Sequence, residues 1–221
     1  MSTIVFQEHV RIPHSVVDLE SFRAWAKSEE FPERGRYSFI NGELWVDLMP
    51  EQLFTHNGVK VEFARVLHTL MRTTRRGRFF GDGILVTNVE AGLSTEPDGT
   101  VVLFESLKLG RSRLIELSSG DGYVEVDGAP DIALEIVSAS SVRKDTVVLR
   151  ELYWKAGIPE YWLVDVRGAG PKFDILARGR RGYGAARKQS GWVKSHVLGK
   201  LFRLTGGHDA TGNPEYTLIV R

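Results

Sequence analysis

An α/β layer fold, a mixed β-sheet flanked by helices, is what this sequence predicts, and three segments in succession carry the prediction. Ile132 to Val137 is apolar throughout except for Glu135, the pattern of a strand covered on both faces. Residues 142–156 then recur at helical spacing and stop at Gly157, with Pro159 just beyond, where a proline suits a finished helix. Glu160 to Asp165 reads as the returning strand. Strand, helix, strand is the unit from which layered α/β domains are built.

The remaining elements follow in order. Val16, Leu19, Phe22 and Ala26 recur at helical spacing behind Ser15 and Asp18, a capping-box-like start, so a first helix is expected over 15–28. Tyr37 to Ile40 and Glu43 to Leu48 flank Asn41-Gly42, the dipeptide whose tight turn matches strand twist, and predict a hairpin. Val59, Phe63, Val66, Leu67 and Leu70 share one face of a longer helix. Strands are expected over 79–89 and 100–104, a short helix over 106–117 and a loop over 118–122. Strands over 172–177 and 192–198 close the chain around a Gly- and Arg-rich hairpin loop, 178–188. The expected organisation is a helical extension, residues 1–35, followed by one domain, residues 36–221.

Composition narrows the function classes. The chain has 221 residues, 42% hydrophobic and 26% charged, ample for a substantial core and ordinary for a globular protein. Its 29 basic against 28 acidic residues give a net charge of +1, which points to no partner. The lack of Cys excludes disulfides, thiolate zinc sites and Cys nucleophiles and suits a cytoplasmic protein. Residues 1–11 lack a basic segment followed by an apolar one, so no secretory leader is expected. No apolar run approaches the roughly 20 residues needed to span a bilayer, so no membrane partner is expected.

Glu135 is the anomaly. An ionised carboxylate in a covered strand costs several kcal/mol unless a metal ion or a cation offsets it. The cationic candidates are Arg143, Lys144 and Arg150. Asp98 follows Pro97 and precedes an apolar strand, which places its carboxylate at a strand end, although Asp98-Gly99 alone is also a common turn.

Tyr37-Ser38-Phe39-Ile40-Asn41-Gly42-Glu43-Leu44, Glu96-Pro97-Asp98, Ala129 to Ser138, and Asp145 through Asp165 together resemble the Uma-type endonucleases of the PD-(D/E)xK, restriction-endonuclease-like superfamily. The resemblance covers roughly residues 36–205. It implies a restriction-endonuclease-like core: a mixed sheet flanked by helices, with acids converging on Mg²⁺ or Mn²⁺ ions, here with an extra N-terminal helix. It further implies Asp98 and Glu135 as metal ligands and Glu43 as an outer acid, a residue that fits equally an exposed strand position. Asp131, in a second Pro-Asp, reads as a strand-start residue.

The superfamily's lysine would fall two residues past the Glu, at Val137, and the family's displaced lysine at Leu149; both positions are apolar here. Lys144 adjoins Asp145 near the helix start and is the preferred substitute, reaching back toward the end of the Glu135 strand; a solvated residue there is the plain alternative. Asp145 itself suits a helix N-terminus through the helix dipole. Arg150 lies beside the vacated position, rotated about 100° around the helix axis. It can stabilise phosphate charge but not act as a base. Arg72, Arg75 and Arg76 crowd the end of the long helix, where they suit phosphate contacts, and also the negative end of a helix dipole. His56 has no paired ligand spacing; just before the long helix it could edge into the cleft, although a lone His is more often structural.

These readings converge on a Mg²⁺-dependent endonuclease cutting nucleic acid, DNA first among the expected targets. Glu43, Asp98, Glu135 and Lys144 would form its catalytic set, and Arg72, Arg75, Arg76 and Arg150 its nucleic-acid contacts. The rival is a nuclease-fold protein that kept binding and lost turnover. A homodimer would suit two-strand cutting, but no residue marks an interface.

Overall fold

The computed structural model describes residues 11–221; most of the segment relevant to a secretory leader lies outside that range. The first helix, α1 (Leu19–Ala26), starts later than expected. Its cap is Asp18, whose carboxylate accepts from the Ser21 amide while Ser21 Oγ accepts from the Asp18 amide. Phe22 and Trp25 pack edge-on against Phe31, Trp25 also against Tyr37, and Phe22 lies tilted against Phe39, fixing α1 to the hairpin β1 (Arg36–Ile40) and β2 (Glu43–Asp47). The turn residues Asn41 and Gly42 both have positive φ, 51° and 86°, as an Asn-Gly turn requires.

The long helix α2 (Val59–Thr74) is preceded by a wide π-type turn, Leu53–Gly58. The expected strand over 79–89 is two strands, β3 (Gly77–Gly81) and β4 (Leu85–Asn88), which belong to different sheets. Then come β5 (Leu93–Thr95) and β6 (Gly99–Leu103). The expected helix over 106–117 shrinks to α3 (Phe104–Lys108), because Gly110 turns left-handed at φ 71° and the chain re-enters a sheet as β7 (Ser112–Glu116), paired with β8 (Tyr123–Gly128). Non-local pairing overrode the apolar spacing there.

The central unit forms as expected. β9 (Ile132–Ile136) leads through a second π-type turn, Lys144–Val148, and α4 (Leu149–Lys155) to β10 (Glu160–Asp165), which pairs parallel to β9. The Gly- and Arg-rich stretch 178–188 contains the expected hairpin, formed by β11 (Lys172–Gly179) and β12 (Gly182–Ala185). The tail is longer in strand than expected. β13 (Lys188–Gln189), β14 (Trp192–Ser195), β15 (Lys200–His208) and β16 (Pro214–Val220) form an antiparallel sheet.

The core sits on both faces of a mixed six-stranded sheet ordered β12-β11-β10-β9-β6-β3. Ile132, Leu134 and Ile136 face one way, against Phe63 and Leu67 of α2 and Phe202 and Leu218 of the tail sheet. Ala133 faces the other way, toward Leu149, Leu152 and Tyr153 and a second six-stranded sheet, β2-β1-β5-β4-β8-β7. This alternation puts Glu135 on the α4 side. Asp131 is structural, as expected: its carboxylate accepts from the Leu103 amide and Ser106 Oγ.

Candidate active site

The β6–β9 pairing sets Gly99 across from Leu134 and Thr100 across from Ala133. One residue further along the same antiparallel register, Asp98 stands opposite Glu135. Opposed residues share a sheet face, and the Ile136 amide confirms the approach by donating to Asp98 Oδ2 at 2.7 Å. Both carboxylates are 2% exposed. Neighbouring strands therefore bring together the two acids singled out in the sequence.

The surroundings hold these acids unequally. Burial raises the Glu135 carboxyl well above its ordinary range, and the nearby Asp145 and Asp98 charges add to the effect; Lys144 and a 2.6 Å hydrogen bond from Tyr153 Oη oppose it. Burial acts the same way on Asp98, but His56, Arg36 and the Ile136 amide outweigh it and hold Asp98 low. His56 Nε2 lies 3.4 Å from Asp98 Oδ2 and its Nδ1 3.4 Å from Glu51 Oε2. Arg36 Nη1 lies 3.3 Å from Asp98 Oδ1. Burial lowers the His56 pKa, while Asp98 and Glu51 more than reverse that and raise it.

Lys144 enters from the π-type turn that opens α4. Burial works to deprotonate it, but Glu135, Asp145 and Asp98, in that order, outweigh burial and raise its pKa. Its Nζ lies 3.7 Å from Asp145 Oδ1. Asp145 is buried and shifted to about 6, chiefly by burial. Its place in the cluster goes beyond the helix-dipole role read from the sequence. The other π-type turn carries His56, so both wide turns deliver a side chain to the same cluster. Such irregular helical turns recur at functional sites.

A cleft of about 960 Å³ opens onto this cluster, with Arg36, Glu51, His56, Asp82, Glu96 and Ser138 in its wall. Lys60 reaches Glu51 and lies 2.6 Å from Asp82, and Arg36 also pairs with Glu51. Burial lifts Glu96 to about 7.

The fit to a divalent cation can be judged from the unspent valences. Asp98 Oδ1, Asp145 Oδ1 and His56 Nδ1 are buried atoms without a hydrogen-bond partner among the described residues, each facing a charged neighbour, Arg36 at 3.3 Å, Lys144 at 3.7 Å and Glu51 at 3.4 Å respectively. Such atoms are costly unless something satisfies them. Carboxylates from two strands and oxygen-rich surroundings match the hard-ligand preference of Mg²⁺ and Mn²⁺. Asp98, His56 and Glu51 each bring a ligand atom within 4.8 Å of the others.

Three sequence expectations need correction. Glu43 is exposed beside the hairpin turn, paired with Ile40, whereas Arg36, at the other end of β1, is the residue that reaches Asp98. At about 3.3 Å per residue, Glu43 is some 13 Å along the hairpin from Arg36. Arg150 is turned away, donating to the Tyr183 carbonyl at 3.0 Å. Arg76 is spent on the Leu198 and Val197 carbonyls. Arg72, in the last turn of α2, and Arg75, its C-cap, remain exposed at the far end of the helix. Glu51 and Arg36 gave no sequence signal, and Tyr153 carries none beyond lying in the segment Asp145 to Asp165 that resembles the family.

A model of the Uma2 family, described as "Putative restriction endonuclease", matches residues 19–193. The chain belongs to the Uma2 family. The match includes α1 and every residue of the buried cluster. Among solved structures, this Uma2 chain is similar to a protein from Anabaena variabilis ATCC 29413, titled a "putative nuclease belonging to DUF820". The TM-score is 0.56 and the identity 18%, over 74% of this chain and 83% of that one. That likeness supports the restriction-endonuclease-like fold: a mixed sheet flanked by helices, with α1 at the N-terminal end. No curated protein matches the chain. No helix among the described residues is long and apolar enough to cross a membrane.

Proposed function

We propose that this Uma2 protein is a metal-dependent phosphodiesterase that cuts nucleic acid, with DNA as its target and Mg²⁺ or Mn²⁺ as its cofactor. The observation that carries the reading is the placement of Asp98 opposite Glu135 on one face of the β6–β9 pair, with Lys144 drawn toward both. Asp98 and Glu135 would hold the ion. A bound divalent ion supplies charge neutralisation at phosphorus and a more acidic water.

The chain's own residues do the rest. The Ile136 amide and His56 hold Asp98 ionised and oriented, and Tyr153 Oη fixes Glu135. Lys144, kept protonated by three carboxylates, presents positive charge where the superfamily's lysine would otherwise stand. Arg36, at the cleft wall beside Asp98, offers a second positive charge to a phosphate oxygen. Glu43 has no part in this arrangement.

The test is incubation of the protein with single-stranded, linear duplex and supercoiled DNA in Mg²⁺, Mn²⁺ or EDTA. Cleavage that needs the ion and vanishes in Asp98→Asn and Glu135→Gln supports the reading; no cleavage above the Asp98→Asn control contradicts it. A binding-only protein is the second reading. It is favoured by one feature: Val137 and Leu149, the two positions where a lysine is expected, are buried and apolar. That reading predicts nucleic-acid binding with no ion-dependent cutting.

A further inference from the structure

We propose that the groove at the C-terminal end of α2 is a separate contact surface for an unpaired nucleic-acid strand, set apart from the cutting cleft. The inference rests on the nucleic-acid reading above and adds where the substrate's affinity comes from. The cleft itself is a poor source. Its wall carries Glu33, Asp47, Glu51, Asp82 and Glu96 against Arg36 as its one arginine. A polyanion gains little there without a bound cation.

The groove has the opposite character. It encloses about 550 Å³ between Arg72, Arg75 and Arg78, over a floor that includes Phe79, Phe80 and Phe104. All three arginines are exposed. None has an ion pair or a side-chain hydrogen bond among the described residues, in contrast to Arg76 beside them, which is anchored on two carbonyls. A helix C-terminus attracts cations unaided, but Arg78 lies beyond the helix, on β3, so the dipole does not account for the group. The three phenylalanines are half-buried; Phe79 packs toward the core beneath α2 and Phe80, next to it on β3, toward the core on the opposite sheet face, so the rings meet the groove only along the strand edge, beside Phe104. Aromatic rings beside guanidinium groups suit stacking of unpaired bases along a neutralised backbone.

Placement relates the groove to the cleft. The 16 residues of α2 span about 24 Å from the His56 end to the arginine end. Strand β3 runs back from Arg78 toward Asp82 in the cleft wall. A stacked strand covers that distance in about seven nucleotides, at roughly 3.4 Å each. One strand can therefore lie in the groove while a phosphate further along it enters the cleft.

The test is fluorescence anisotropy with the full chain in EDTA, where cutting is suppressed. The probes are a labelled single-stranded oligonucleotide of about 20 nucleotides, the matching duplex and inorganic polyphosphate. The variant R72Q/R75N/R78Q takes asparagine rather than glutamine in place of Arg75 because the backbone there is left-handed, with φ 53°. The expected result is single-strand affinity reduced on the order of 100-fold at 0.1 M salt, with the slope of log K against log salt shallower by about 2. Phe104→Ala is expected to weaken the oligonucleotide and leave polyphosphate unchanged. Equal binding by wild type and the triple variant overturns the inference, as does wild-type preference for the duplex. The two readings fail separately: arginine-dependent binding without any cleavage sinks the proposed activity alone, and cleavage with arginine-independent binding sinks the groove alone.

Discussion

The main-chain N–H of Ile136 donates to Asp98 Oδ2 at 2.7 Å, tying the acid at the start of β6 to the strand that carries Glu135. Asparagine can still accept that hydrogen bond, whereas alanine leaves a buried amide unpaired at a cost of about 1–3 kcal/mol. Asp98→Ala is therefore expected to unfold at lower denaturant than Asp98→Asn. Both variants should lose ion-dependent cleavage, by at least about 100-fold. Chemical denaturation together with a cleavage assay separates the structural effect from the functional one.

Tyr153 is fully buried and its hydroxyl donates to Glu135 Oε1 at 2.6 Å. Tyr153→Phe keeps the ring and its packing against Tyr161 and removes only this donor. The expected cost is about 1–2 kcal/mol of stability. Mn²⁺ affinity should fall about 10-fold, since partners that orient a ligand tune the metal. Calorimetric Mn²⁺ titration of the two proteins checks this.

Glu160 looks like a second active-site acid by burial alone, at 1% exposure, but its contacts are structural. It accepts from Trp162 Nε1, Ser195 Oγ and the amides of His196 and Val197, joining the central sheet to the tail sheet. Glu160→Gln turns two acceptor oxygens into one and points an NH₂ at donors. A loss of roughly 2–4 kcal/mol is expected. Cleavage measured well below the lowered melting temperature should remain within a few-fold of wild type.

The acids differ in how much of their presence a sequence reveals. Glu135 was legible because it interrupts an apolar run; Asp98 was legible only through the family resemblance, since Asp98-Gly99 alone reads as a turn and Asp131 is a competing Pro-Asp at a strand start. Glu51 was not, and His56 was legible only as a lone histidine ahead of the long helix that could edge into the cleft, since a loop and a π-type turn, neither with a repeating pattern, carry them to Asp98. Glu43 misled for a related reason: the Asn-Gly hairpin was legible, but which of its ends faces the site depends on packing against β5. The helix expected over 106–117 failed at Gly110, whose left-handed backbone released Ser112–Glu116 to pair with β8. The hairpin of β15 and β16 passed unseen because its Thr- and Gly-rich middle lacks an alternating apolar signal.

Glu96 supplies a pH signature. Its pKa rises from 4.5 to about 7 through burial, against a weak 3.4 Å hydrogen bond from the Tyr37 amide. The folded state then favours the protonated carboxyl. This contribution is fully present below pH 4.5 and is lost as pH rises through about 7, because the unfolded chain releases its proton first. In metal-free buffer, Glu96→Gln should gain on wild type by on the order of 2 kcal/mol between pH 5 and pH 8. Denaturant midpoints at the two pH values measure the gain; an unchanged difference would show that Glu96 ionises normally.

The most direct measurement is anomalous diffraction from a crystal of the full chain soaked in Mn²⁺. The account predicts one strong peak within coordination distance of both the Asp98 and Glu135 carboxylates, absent in Glu135→Gln. A Mn²⁺ peak elsewhere on the protein, with none between these two side chains, would contradict it.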